Sequence, residues 1–460
     1  MVVTPSRSGR VRIYLGRRGP RRRPRRPGRR IVAAFALGVA AGTVLLLLPV
    51  ATVAPGGAGP LQALFTATSA LCVTGLTVVD TATYWSTFGQ VTILALIQIG
   101  GFGVMTLASL LGLLITRRLG LGNRLLAATE TKSIGLGSIR TVLLGVLRIS
   151  LTVEVITAAI LTVRFATTYD FPWPKALWYG VFHAISAFNN AGFSLFSDNL
   201  IGFATDAWIC LPIAFAVIIG GLGFPVILEL LRRRRRGWSA HTRLTLTMTA
   251  ILLVGGTLFV TIAEWNNPGT LGAFDPAGKT LAGFFQAVMP RTAGFNSVNP
   301  GEMNTGTLLG VDVLMFIGGG SASTAGGIKV GTFAVLLLVI VAELRGDPDA
   351  NLYDRRLRTS TIRQALSVAL LSVAAVVSAT LGIAMTTPYT LDQVLYEAVS
   401  AFATVGLTTG ITPHLHTGQQ LVLVLLMFAG RLGPVTFASA LVLRERQRLF
   451  RRPEGRPLIG

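Results

Sequence analysis

The sequence predicts an all-α, polytopic membrane protein in which one unit, a helix, a re-entrant loop and a second helix, is used four times. Three observations carry that prediction. Of 460 residues 51% are hydrophobic and only 13% charged, with a mean hydropathy of +0.63, so there are too few polar side chains to cover the surfaces of soluble domains. Eight apolar stretches are long enough to cross a bilayer. Between successive pairs of them lie four small-residue loops of one design.

The chain opens with a tail, residues 1–30, that holds twelve arginines and no acid and is expected to be disordered. The apolar run Ile31–Ala54 is longer than the core of a signal peptide and reads as a retained first span. The further spans are Val91–Thr116, Thr141–Val163, Ile209–Leu231, Leu244–Ala263, Leu308–Leu344, Ala365–Met385 and Leu421–Leu443. They group into repeats over 31–116, 141–231, 244–344 and 365–443, followed by a basic C-terminal segment, 444–460. An even number of spans puts both termini on one side.

Charge fixes which side. Forty-one basic against 19 acidic residues give +22, a balance that raises nucleic-acid binding as a reading. The tail, residues 117–148, 232–243 and 345–363 and the C-terminal segment hold 35 basic and six acidic residues, and with Glu229 and Glu343 at the inner ends of their spans that side nets +27. The alternate loops hold four basic residues (Arg164, Lys175, Lys279, Arg291) and ten acids (Asp80, Asp170, Asp198, Asp206, Glu264, Asp275, Glu302, Asp312, Asp392, Glu397), a net −6. The excess therefore marks the cytoplasmic side of a multi-pass plasma-membrane protein, and no nucleic-acid partner is needed to explain it. The acidic outer face would gather cations at the mouth.

The four loops read Ser69-Ala70-Leu71-Cys72-Val73-Thr74-Gly75-Leu76, Ser186-Ala187-Phe188-Asn189-Asn190-Ala191-Gly192-Phe193, Met289-Pro290-Arg291-Thr292-Ala293-Gly294-Phe295 and Ser400-Ala401-Phe402-Ala403-Thr404-Val405-Gly406-Leu407. Their glycines are 117, 102 and 112 residues apart. Each is followed 24 to 28 residues later by a second cluster: Gly100-Gly101-Phe102-Gly103, Gly220-Gly221-Leu222-Gly223, Gly318-Gly319-Gly320 and Gly430-Arg431-Leu432-Gly433. Non-helical backbone at membrane depth is tolerated only where protein buries it or a watery path borders it, so four such loops imply a central ion pore. Short helices aiming their carbonyl ends inward favour a cation, and a ring of main-chain carbonyls can replace its water. No carboxylate, imidazole or thiolate stands at the loop apices to hold a divalent or soft metal, which leaves a hard monovalent cation.

These four motifs, in this order, resemble the Trk/Ktr/HKT superfamily of potassium transporters across nearly the whole chain after Arg30. Eight spans resemble the Ktr membrane, or pore, subunit more than the longer Trk one. The resemblance implies potassium uptake through a selectivity filter formed by Val73, Thr74, Gly75, Asn190, Ala191, Gly192, Thr292, Ala293, Gly294, Thr404, Val405 and Gly406. Potassium is expected at the backbone carbonyls of Thr74, Asn190, Thr292 and Thr404. Plant members with sodium preference have Ser in the first loop; Gly75 stands there in this chain, which favours potassium. The resemblance further implies a homodimer in the lipid bilayer, gated by a separate cytoplasmic ring of nucleotide-binding RCK-type subunits. No cofactor is expected, with sodium as a potential activator.

In the third unit the inner helix is interrupted by Gly318-Gly319-Gly320-Ser321-Ala322-Ser323-Thr324-Ala325-Gly326-Gly327, which cannot hold a regular helix. It resembles the family's intramembrane gating loop, here 318–331 with Lys329 near its end, rather than a cytoplasmic linker. A phosphate loop is excluded, because Gly-Gly-Ile-Lys lacks the Gly-Lys-Ser/Thr ending. Arg431, ten residues into a span, is too deep to reach water freely and resembles the arginine of the family's fourth unit that opposes ion passage. Glu154 also lies inside a span and reads as a helix-packing or salt-bridge residue; a sodium- or proton-coupled symporter would use it for coupling. A membrane enzyme lacks paired carboxylates or an activated nucleophile. Cys72 and Cys210 read as buried thiols, and His183, His241, His414 and His416 have no metal-ligand spacing.

Overall fold

Among the described residues three helices, Leu144–Thr168, Ala240–Glu264 and Thr359–Ala384, are long and apolar enough to cross a membrane, and shorter proline- or cap-initiated helices lie between them. The computed structural model describes residues 27–118, 139–231 and 237–433. The expectations for the tail before Pro27, for the last span beyond Gly433 and for the C-terminal segment lie outside these residues. Helix α1 is Pro27–Leu46, so the last four residues of the predicted tail are helical. There follow α2, Pro60–Leu71; the single turn α3, Thr81–Tyr84; and α4, Thr87–Arg118. Next come α5, Ile139–Thr168; α6, Trp173–Phe188; α7, Ala207–Leu222; and α8, Phe224–Leu231. Helices α9, Ala240–Glu264; α10, Pro276–Val288; α11, Thr305–Phe316; and α12, Val330–Arg345 precede α13, Thr359–Ala384; α14, Leu391–Ala403; and α15, Thr417–Leu432.

The short helices that feed the four loops, α2, α6, α10 and α14, start where a ring or a side chain sets the first turn. Pro60 and Pro276 occupy first-turn positions, and Pro172 precedes α6. Asp275 accepts from the Gly278 amide at 3.2 Å, and Thr390 with Gln393 forms a capping box on α14. Taken together, the long and short helices invert the soluble pattern. Leu37, Val155, Ile262, Leu370 and Leu381 are exposed, whereas Thr66, Thr68, Ser69, Ser186, Asn189 and Ser400 are buried. Outward apolar faces and an inward polar lining suit a chain surrounded by lipid.

Two features were not expected. Helices α7 and α8 meet at 101° about Gly223, whose φ of +92° is accessible to glycine at little cost. Between α12 and α13 lies a small antiparallel hairpin, β1 Asn351–Leu352 with β2 Arg355–Arg356, paired Asn351 to Arg356 and Leu352 to Arg355. Its tip is held by Arg243 of α9, whose guanidinium carbon sits 4.3 Å from the Tyr353 ring centroid.

The acidic outer face needs correction. Asp206, Glu264, Asp312 and Glu397, four of its ten acids, are buried. Glu264 accepts from Thr307 Oγ1, from Thr270 Oγ1 at 2.7 Å and from Asn267 Nδ2 at 2.6 Å, clasping the end of α9 to neighbouring turns. Asp206 Oδ2 accepts from Arg164 Nε at 2.8 Å and from Tyr169 Oη at 3.0 Å. Burial, and then that carboxylate, push the Tyr169 phenol up to about 12, so Asp206 keeps its donor throughout the physiological range. Arg291, counted with the loop cations, is buried as well.

Candidate functional site

The four loop glycines close a ring. A Cβ on Gly75 would strike the Ala191 carbonyl oxygen and the Gly192 Cα; on Gly192, the Ala293 oxygen and the Gly294 Cα; on Gly294, the Val405 oxygen and the Gly406 Cα. On Gly406 it would strike the Thr74 oxygen and the Gly75 Cα, which returns to the start. Each glycine thus lets the carbonyl of the next loop approach as no side chain would. All four have positive φ, 95°, 69°, 74° and 97°, and two residues earlier Val73, Asn190, Thr292 and Thr404 are left-handed too, at 55°, 58°, 69° and 53°. One backbone conformation therefore occurs four times around a common centre, on four segments of unlike sequence.

The twelve predicted loop residues are brought together at this ring, at two successive levels. Thr74, Ala191, Ala293 and Val405 supply the carbonyls that face the neighbouring glycines. Val73, Asn190, Thr292 and Thr404 form the level before. The four predicted potassium positions straddle both levels, because Thr74 stands one residue before its glycine whereas Asn190, Thr292 and Thr404 stand two before theirs.

Local hydrogen bonds explain how the loops are held. The amides of Thr74, Ala191 and Val405 donate to Ser69, Ser186 and Ser400 carbonyls at 2.8, 2.8 and 2.9 Å. Ser69 and Ser400 hydroxyls also accept from Gly75 and Gly406 amides, each at 3.1 Å. The third loop differs: α10 stops at Val288, Pro290 has no amide to continue the ladder, and the Ala293 amide donates to Met289 at 3.0 Å. The second glycine clusters serve close approach. A Cβ on Gly100, Gly220 or Gly430 would strike the carbonyl oxygen of Leu71, Phe188 or Phe402, at the ends of α2, α6 and α14.

Beneath the ring runs the loop that interrupts the third unit, between Phe316 and Val330. Its base is zipped by the Gly318 amide donating to Ile328 O at 2.9 Å, and its flank by the Gly320 amide donating to Gly221 O at 2.8 Å. Phe224, first residue of α8, donates to Ala322 O at 3.2 Å. Gly326 packs on the Thr404 hydroxyl, and Ser323 and Thr324 are wholly buried. Lys329 Nζ turns back onto the Ala325 carbonyl and onto Gly326 O at 3.3 Å. Arg431 Nη1 donates to Thr324 O, and Nη2 to Gly100 O at 3.1 Å. The predicted gate residues Gly318, Gly319, Gly320, Ser321, Ser323, Thr324, Gly326, Gly327, Lys329 and Arg431 thus form one body beneath the ring, and Arg431 joins it to α4.

Sequence reasoning missed the polar support behind the loops. Glu154 accepts from Ser150 Oγ at 2.7 Å, from Gln98 Nε2 at 3.1 Å and from Asn189 Nδ2 at 3.4 Å, linking α4 and α5 to the residue that ends α6. Glu397 of α14 accepts from Thr408 Oγ1 at 2.5 Å, the Thr409 amide at 3.0 Å and Thr412 Oγ1 at 2.6 Å, bracing the segment after the fourth loop. The signal was present in Asn189-Asn190 and Thr408-Thr409, polar pairs at or near the predicted loop positions, but only the fold shows which carboxylate each meets.

Comparison with known proteins bears on the whole chain. The family described as "TrkH: Cation transport protein" matches residues 42–451. Ktr system potassium uptake protein B of Bacillus subtilis is 41% identical over 435 residues, 94% of this chain and 97% of that protein. The protein of the same name from Vibrio alginolyticus is 38% identical, covering 94% of each chain. The potassium/sodium uptake protein NtpJ of Enterococcus hirae is 34% identical over 94% of this chain and 97% of its own. The crystal structure of the potassium transporter TrkH from Vibrio parahaemolyticus has the same fold, with a TM-score of 0.73 at 18% identity, over 93% of this chain and 87% of that one.

Proposed function

This chain belongs to the TrkH family of cation transport proteins, and from that premise we propose that it takes up potassium across the plasma membrane, channel-like, through the ring of Gly75, Gly192, Gly294 and Gly406. It is a transport protein and not an enzyme. The observation that carries the proposal is the closure of that ring, in which the glycine of each loop admits the carbonyl of the next. Potassium sheds its water to carbonyls at both levels, those of Thr74, Ala191, Ala293 and Val405 and those of Val73, Asn190, Thr292 and Thr404. The four units are 31–116, 141–231, 244–344 and 365–443, and the positive-inside balance puts both termini in the cytoplasm.

The interrupting loop and Arg431 form the gate. A guanidinium beside the loop below a cation filter opposes ion entry, and its bond to Thr324 keeps the loop in place. Opening is assigned to a cytoplasmic partner, a nucleotide-binding RCK-type ring acting on a homodimer; relatives named as one protein of a Ktr system support a partnered arrangement. Sodium is assigned a role as activator, with sodium- or proton-coupled symport, which would use Glu154, as the alternative.

The test is rubidium and potassium flux in liposomes, with sodium competition, with and without the regulator. Potassium-selective flux that rises with the regulator is the expected result. Flux that ceases without a sodium or proton gradient would replace the channel reading by the symport one.

A further inference from the structure

The side chain of Asn190 leaves the ring and joins the loop beneath it. Its Oδ1 accepts from Thr324 Oγ1 at 2.9 Å, and its Nδ2 donates to the Arg291 carbonyl at 3.3 Å. Both residues are buried, Asn190 at 1% and Thr324 at 0% exposure. Asn tolerates the left-handed backbone at this position better than most side chains, so conformation and contact are satisfied by one residue. The other three quadrants have nothing equivalent. Val73 offers no polar group, and the hydroxyls of Thr292 and Thr404 have no partner among the described residues.

Thr324 has four partners: Asn190 Oδ1 at 2.9 Å and, sharing the same hydroxyl proton over a longer 3.4 Å, Phe188 O; Arg431 at its carbonyl; and Gly220 O, which accepts from its amide at 3.3 Å. Displacement of the loop to let an ion through must break the bond to Asn190. The same Asn190 amide also braces the third loop through Arg291 O, so its release loosens two quadrants of the ring. A bond made in one gate position and lost in the other necessarily links gate position to ion binding.

We propose that the Asn190–Thr324 hydrogen bond couples the filter to the gate, with Thr324 a positioning residue that holds the second and third filter loops in their potassium-selective geometry while the gating loop is in place. The inference rests on the filter reading above. It predicts that potassium binding at equilibrium depends on a residue that does not line the ring.

The test is potassium and sodium binding to the full chain in nanodiscs without regulator. Thr324→Val should lower the ratio of sodium to potassium dissociation constants roughly 2- to 10-fold, the span expected for one hydrogen bond. Asn190→Gly, which keeps the left-handed backbone accessible, should do the same, and the double variant should go no further than the larger single effect. Thr324→Ser should restore the parental ratio, and Thr324→Ala serves as second variant if Val does not fold. An unchanged ratio in Thr324→Val, or effects of the two substitutions that multiply, would overturn the coupling. Gly75→Ser separates the two readings. If it shifts the ratio while the Thr324 variants do not, the filter stands and the coupling is wrong; if it too leaves the ratio unchanged, the filter reading fails and the coupling with it.

Discussion

Arg431 Nη2 donates to the Gly100 carbonyl at 3.1 Å, so the cation of the last described helix is fastened to the glycine cluster of α4, 331 residues earlier in the chain. The same guanidinium holds Thr324 O, and its Nε has no partner among the described residues. Arg431→Gln keeps a donor but removes the charge and one arm of the fork. Regulator-free rubidium flux in liposomes is expected to rise roughly tenfold, as loss of one charge-assisted hydrogen bond would give. Flux at the parental level would remove Arg431 from the gate.

A Cβ on Gly75 falls against the Ala191 carbonyl, at a φ that side chains rarely adopt. Gly75→Ser should therefore displace a carbonyl of the neighbouring loop and weaken discrimination against sodium. A drop of roughly tenfold in the potassium to sodium permeability ratio corresponds to about 1.4 kcal/mol. Equal ratios in parent and variant would count against Gly75 as a filter position.

The gating loop can be shortened without stretching its ends, since Ile317 and Ile328 already bridge and Gly318 donates to Ile328 O at 2.9 Å. Deleting residues 322–327 removes Thr324 and the loop apex while leaving that base. The deletion should bring regulator-free flux close to the stimulated parental value. Flux near zero in a folded, monodisperse protein would show the gate to be elsewhere.

Glu154 tests coupling against support. Glu154→Gln preserves the shape of the group and its bond from Ser150, so the response of flux to sodium and pH should match the parent. Glu154→Leu leaves Gln98 Nε2 and Ser150 Oγ without their acceptor, whereas Asn189 Nδ2 keeps Gln98 Oε1 at 2.7 Å, and should cost about 1–3 kcal/mol, seen as a lower midpoint in thermal unfolding. Altered sodium or proton dependence in the Gln variant would favour symport.

The parts legible in the sequence were those that composition and spacing encode directly: apolar spans, the phase of the glycines, a run unable to stay helical and an arginine too deep for water. What escaped was decided by tertiary contact. Gly223 is one of several glycines in its cluster, and only its φ and the carbonyl of Ser321 beside it mark it as the bend. Asp206, Glu264, Asp312 and Glu397 read as surface charge in the sequence because loop position alone does not distinguish a solvated carboxylate from a buried one. Residue type does not set main-chain register: the Thr74 carbonyl faces the neighbouring glycine, but Asn190, Thr292 and Thr404 stand one residue before the carbonyls that do so.

The ring has one further consequence. A pore assembled from four identical subunits receives every substitution four times over, whereas the one proposed here is drawn from a single polypeptide whose quadrants already differ in sequence. Each mutation therefore acts on a single quarter of the circumference, and the strain passes first to one neighbour in one rotational sense, from Gly75 toward Ala191 and from Gly406 toward Thr74. Selectivity in such a molecule is open to graded, directional adjustment, one sector at a time.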